Sequence, residues 1–109
     1  MAENGLNGRT INILLVEDNP GDARRIELML ESGEMAYRLN TAVSLQATLQ
    51  LLTTQPAQVV LLDLTLPDST GVETVRTLRA AHPWTPIVVL TGLEDEQIIT
   101  EAATAGAHD

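Results

Sequence analysis

At 109 residues, 44% of them hydrophobic and 19% charged, the chain has the length and apolar content of one globular domain with a real core. No run approaches the roughly 18 apolar residues of a membrane span, and zero cysteines exclude disulfides and thiolate metal sites. Fifteen acids against six basic residues, all arginine, give a formal net charge of −9, which leaves no basic stripe for a phosphate backbone and argues against direct nucleic-acid binding.

Residues 1–10 are rich in Gly and Asn and read as a flexible tail. They carry neither the basic segment nor the apolar stretch of a secretory signal, which fits a cytoplasmic setting. From Ile11 the pattern alternates strand and helix. Residues 11–16, Ile-Asn-Ile-Leu-Leu-Val, form an apolar run that predicts a buried strand ending in Glu17 and Asp18. Asn19 is placed to cap a helix, Pro20 suits its first position and Asp22 favours the positive end of its dipole. Ala23, Ile26, Met29 and Leu30 follow at helical spacing, with Gly33 as a left-handed stop. A more polar strand over 37–43 reads as an edge. Ser44 then caps a helix with Leu45, Leu49 and Leu52 on one face, closed by Gln55-Pro56.

Residues 58–63 predict the central strand, ending in Asp63. A loop over 65–70 holds Pro67 and Asp68, and Gly71 opens a helix with Val72, Val75 and Leu78 as its buried stripe. The segment His82-Pro83-Trp84-Thr85-Pro86 breaks that helix, with Trp84 expected as a loop anchor packed on it. Residues 87–90 predict a fourth strand, ending in Thr91-Gly92. A last helix over 94–105 has Glu94, Asp95 and Glu96 in its first turn and Gly106 at its end. Near-continuous aliphatic strands separated by helices imply a parallel sheet covered on both faces, one domain of α/β class.

In such a sheet ligands bind beyond the carboxyl ends of the strands. Asp18, Asp63 and Thr91 all fall there. Oxygen donors of this kind suit Mg²⁺, and a carboxylate can act as a nucleophile that forms an acyl phosphate. Asp22 and Asp68 read as solvated caps, and His82 and His108 as surface or loop residues with no metal pairing.

Four segments carry a family resemblance. They are Leu14-Leu15-Val16-Glu17-Asp18-Asn19-Pro20, then 61–71 (Leu-Leu-Asp-Leu-Thr-Leu-Pro-Asp-Ser-Thr-Gly), then Val88-Val89-Leu90-Thr91-Gly92, and Ala105-Gly106-Ala107-His108-Asp109. Over 11–109 the chain resembles a two-component response-regulator receiver domain. The resemblance implies a flavodoxin-like (CheY-like) doubly wound parallel sheet, shortened to (βα)4, in strand order 2-1-3-4. It implies Asp63 as phosphoacceptor, Asp18 as a direct Mg²⁺ ligand, Glu17 acting through a metal-bound water and Thr65 lending its backbone carbonyl. Thr91 would bond the phosphoryl oxygen, Gly92 would leave room for the donor, and the side chains of Thr65 and Leu93 would tune the lifetime of the acyl phosphate. The implied partner is a histidine kinase or phosphotransfer protein, and the implied role is a signalling switch in place of a metabolic enzyme.

The resemblance has one large departure. The family's lysine at the end of a fifth strand has no counterpart among these 109 residues, which contain no lysine. Its absence favours an alternative, a phosphorylation-independent interaction module. The fifth strand and final helix would follow Asp109. A chain ending there would expose its fourth strand as an apolar edge and is expected to self-associate through it. Two other classes fit worse. A haloacid-dehalogenase-type phosphatase needs a second Asp two residues past its nucleophile, where Thr65 stands. A flavodoxin's phosphate would be repelled by Glu17-Asp18-Asn19.

Overall fold

A computed structural model describes residues 10–33 and 35–90. Thr91, Gly92, Leu93, the helix expected over 94–105, its Gly106 stop, His108 and the tail over 1–9 lie outside the described residues. The apolar runs are strands: β1 (Ile11–Val16), β3 (Val59–Leu62) and β4 (Ile87–Val89), with the more polar β2 (Tyr37–Ala42) beside β1. They form one sheet in the order β2-β1-β3-β4, and every neighbouring pair is parallel. Three helices connect them: α1 (Pro20–Glu31), α2 (Leu45–Thr54) and α3 (Val72–Ala81). The expected flavodoxin-like order is the observed one.

Parallel strands need crossovers, and crossovers are right-handed. The chain moves one way from β1 to β2 and the other way from β2 through β3 to β4. Handedness therefore puts α1 on one face of the sheet and α2 and α3 on the other. The α2–α3 face carries the main core: Leu14 and Val16 of β1, Val60 and Leu62 of β3, and Ile87 of β4 meet Leu45 and Leu52 of α2 and Val75 and Leu78 of α3. Side chains alternate along a strand, so Ile13 and Leu15, also buried, face the other way. Burial on both faces is why β1 reads as an unbroken aliphatic run.

Local chemistry sets the helix ends. The Asn19 side chain accepts from the Asp22 N–H at 3.0 Å, and Pro20 is the first residue of α1. The Ser44 hydroxyl accepts from the Ala47 N–H at 3.0 Å at the start of α2. Gly71 opens α3 at φ 71°, a conformation that strains any residue with a Cβ, although the space around it is open.

Three expectations are corrected. Gly33 does not adopt a left-handed conformation; α1 instead ends at Ser32, whose hydroxyl donates to the Met29 carbonyl at 2.7 Å. Met29 is 68% exposed. At about 100° per residue it stands well off the stripe of Ala23, Ile26, Glu27 and Leu30, which are half-buried. Trp84 anchors nothing and is 92% exposed. Its loop is held by Arg79 of α3, whose guanidinium donates to the carbonyls of Pro83 and Thr85, both at 2.8 Å, and of His82 at 3.3 Å. With the backbone fixed by a cation, the indole is not needed as an anchor.

Leu62 is wholly buried. Leu62→Ala is expected to cost about 2–5 kcal/mol in urea unfolding, whereas Trp84→Ala should stay within about 0.5 kcal/mol of the parent.

Candidate functional site

The register between the two central strands assembles the site. Val16 pairs with Leu62, so the next residue on each strand leaves the sheet beside the other. The ladder runs one step further: the Asp63 N–H donates to the Val16 carbonyl at 3.0 Å, and the Glu17 N–H to the Ala42 carbonyl at 2.9 Å. Carboxylate oxygens of Glu17, Asp18 and Asp63 consequently lie within 4.8 Å of one another. The cluster sits where the strand order reverses, between β1 and β3.

The three acids differ in environment. Glu17 is buried at 8% exposure, Asp18 is exposed and Asp63 is half-buried. One oxygen of Glu17 accepts from the Asn19 N–H at 3.3 Å, so the residue that caps α1 also orients this acid. Asp63 Oδ1 accepts from the Thr65 N–H at 3.2 Å, an Asx turn that orients the carboxylate.

Burial, first of all, pushes the Glu17 carboxyl up to about 7. The Asn19 N–H opposes this, while the charge of Asp63 and a hydrogen bond to it add to the rise. Glu17 thus keeps its proton to higher pH than an ordinary carboxylate, which eases the repulsion of crowded acids. A hard divalent cation would supply the same neutralisation more fully, and oxygen-only donors suit Mg²⁺.

The loop after Asp63 is a closed hairpin. Thr65 and Thr70 form an antiparallel bridge, and the Gly71 N–H donates to the Leu64 carbonyl at 2.8 Å. Leu64 and Leu66 point into the core and Thr65 outward. Asp68 is a cap, as expected, but of a helix from another part of the chain. Its two oxygens accept from the N–H groups of Leu45 and Gln46 at 2.8 and 2.9 Å, at the start of α2. These bonds hold its carboxyl below the usual range. No local pattern signals a contact across 23 residues. Asp22 has a smaller role than a cap, pairing with Arg25 at 3.2 Å.

β4 brings the chain back to the same edge, where the Leu90 N–H donates to the Leu62 carbonyl at 2.8 Å. Thr91 follows outside the described residues. Beside the acids a shallow cleft of about 360 Å³ is lined by Glu17, Asp18, Pro20, Arg24, Thr41 and Val43. No helix among the described residues is long and apolar enough to cross a membrane.

Comparison with known proteins points the same way. The family model for the response regulator receiver domain matches residues 13–109. The cell cycle transcriptional regulator CtrA of Caulobacter vibrioides is 34% identical over 99 residues, covering 91% of this chain and 42% of CtrA. The chain therefore spans less than half the length of such relatives. Among solved structures, the BeF3-activated DrrB receiver domain is 27% identical with a TM-score of 0.76, covering 93% of this chain and 82% of that one. The Mn²⁺-bound form of response regulator Rcp1 is 25% identical with a TM-score of 0.76, covering 90% and 77%.

The raised Glu17 carboxyl predicts an unusual pH dependence. A folded value near 7 against an ordinary 4.5 gives stability that is fully present below about pH 4.5 and lost as pH rises through about 7. In EDTA, the difference in unfolding free energy between the parent and Glu17→Gln should shrink, then favour the variant, across that window. The change is at most about 3 kcal/mol, reduced by solvent reaching the site at Asp18. Urea titrations at stepped pH measure it.

Proposed function

Because this chain belongs to the response regulator receiver domain family, we propose that it takes a phosphoryl group on Asp63 from a phosphohistidine of a histidine kinase or phosphotransfer protein, with Mg²⁺ held by the acidic cluster. The observation that carries this reading is the convergence of Glu17, Asp18 and Asp63 within 4.8 Å at the reversal of strand order. The family membership makes the domain a signalling module, and the cytoplasm is part of the proposed setting.

The chain's own residues suggest the division of labour. The Thr65 N–H holds Asp63 Oδ1, so in this reading Oδ2 is the attacking oxygen. An O–P bond forms at Oδ2 as the N–P bond to the donor imidazole breaks, and the imidazole nitrogen keeps the electron pair and takes up a proton. The product is an acyl phosphate. Asp18, exposed at the rim, would be a direct cation ligand. Glu17, buried and oriented by Asn19, would act through a bound water, and the Thr65 carbonyl would complete the protein's share. A bound divalent cation supplies charge neutralisation for the transferring group. Thr91, the expected partner of the phosphoryl oxygen, keeps that role as a proposal. The cleft along Pro20 and Val43 offers the donor an approach with an apolar rim. The Mn²⁺-bound Rcp1 and BeF3-activated DrrB structures support the cation and the acceptor role in related folds.

The proton on Glu17 competes with the cation, so Mg²⁺ should bind more tightly as pH rises through about 7. Millimolar Mg²⁺ is expected to raise the melting temperature at pH 8 more than at pH 5.5, and Asp18→Asn to remove most of the gain.

Incubation with acetyl phosphate and Mg²⁺, followed by intact mass, should show one added phosphoryl group, absent in Asp63→Asn. A chain that binds Mg²⁺ but never gains the group would instead support the interaction-module reading suggested by the missing lysine.

A further inference from the structure

The hairpin after Asp63 is restrained at its root, neck, core side and tip. The Asp63 N–H binds Val16, the Gly71 N–H binds Leu64, and the Leu64 and Leu66 side chains enter the core. The tip closes through the Leu66 N–H on the Ser69 carbonyl at 3.1 Å. Asp68, at that tip, is the residue that ties the hairpin to a different strand–helix unit.

This tie is strong for its size. The first N–H groups of a helix have no partner within it. In α2 the Ser44 side chain takes Ala47, while Asp68 takes both Leu45 and Gln46. Two carboxylate oxygens on two successive N–H groups give a charge-assisted, two-point contact that resists rotation as well as separation. The negative charge also lies at the positive end of the α2 dipole. α2 is itself anchored by Leu45, Thr48 and Leu52, so the tie ends on a fixed body.

We propose that Asp68 is a positioning residue for the receiver site: by clamping the hairpin to α2 it holds the Thr65 backbone beside Asp63 and so sets cation affinity. The proposal rests on the reading of Glu17, Asp18 and Asp63 given above. Thr65 stands three residues from Asp68 within one closed hairpin, and a tether at the tip of so small a ring restrains its other limb. Released, the hairpin would pivot on Leu64 and Leu66. The contact that would suffer first is the Thr65 N–H to Asp63 Oδ1, long at 3.2 Å, which orients the acceptor carboxylate. Coupling of this kind is reciprocal. Cation binding at the acids should therefore tighten the first turn of α2.

The test compares the parent with Asp68→Ala, Asp68→Asn and Ser44→Ala. Mg²⁺ affinity is read by calorimetric titration, and backbone order by amide hydrogen exchange. Asp68→Ala should weaken Mg²⁺ roughly three- to tenfold, the net size of one ordinary hydrogen bond. It should also speed exchange at Leu66 and Gly71. Asp68→Asn, which keeps one acceptor, should fall between, and it serves if the alanine variant does not fold. Ser44→Ala removes the helix's own cap and should lower the melting temperature while leaving Mg²⁺ affinity and hairpin exchange at parental values. In the parent, Mg²⁺ should slow exchange in the first turn of α2, an effect lost in Asp68→Ala. Unchanged affinity and hairpin exchange in Asp68→Ala, or an equal loss in Ser44→Ala, would overturn the proposal. A parent that binds no Mg²⁺ overturns the reading of the acidic cluster beneath it, a result seen before any variant is compared.

Discussion

The pairing of Val16 with Leu62 is the constraint on which the site depends. Parallel strands advance in step, so one register decides which residues emerge together at the carboxyl edge. Here it brings two acids out side by side. A slip of one residue would turn Leu62 toward the wrong face and carry Asp63 away from Glu17 at the same time. The apolar core and the acidic cluster are thus two outcomes of a single alignment. The energy that holds the carboxylates together against their repulsion comes from the aliphatic residues behind them, of which Val16, Val60 and Leu62 are wholly buried.

That origin explains the contrast among the three acids. Glu17 follows the most deeply buried strand and inherits its desolvation, Asp18 turns to solvent, and Asp63 lies between. A charged group beside an apolar core is costly unless compensated. A proton on Glu17 is one compensation, and a bound cation would be a fuller one. The same burial that raises the Glu17 carboxyl would therefore favour a positive ion beside it.

Elements whose cause lies within a few residues were legible in the sequence. The Asn19 and Ser44 caps, the Pro20 start, the glycine before α3 and the three apolar strands follow from short-range sterics and hydrogen bonding. The meeting of Glu17, Asp18 and Asp63 at one sheet edge followed once a parallel sheet was inferred, and the sheet order came with the family resemblance. What escaped depends on distant partners. Trp84 looked like an anchor because large aromatics usually pack, yet Arg79 secures that loop through carbonyls and leaves the ring in water. Gly33 looked like a left-handed stop, yet the Ser32 hydroxyl ends α1 without one. Asp68 read as a solvated cap because nothing near it indicates that its helix lies earlier in the chain.

The last of these bears on how the chain folds. α2 has ten residues, shorter than the roughly 12–15 at which an isolated helix becomes even marginal in water. Two of its opening N–H groups find their acceptor only after β3 has been laid down and the hairpin beyond it has turned. The amino end of α2 is therefore completed by a segment 22 to 23 residues further along the chain. Contacts of long sequence separation close slowly. These two opening N–H groups of α2 are thus satisfied only once the hairpin beyond β3 has formed.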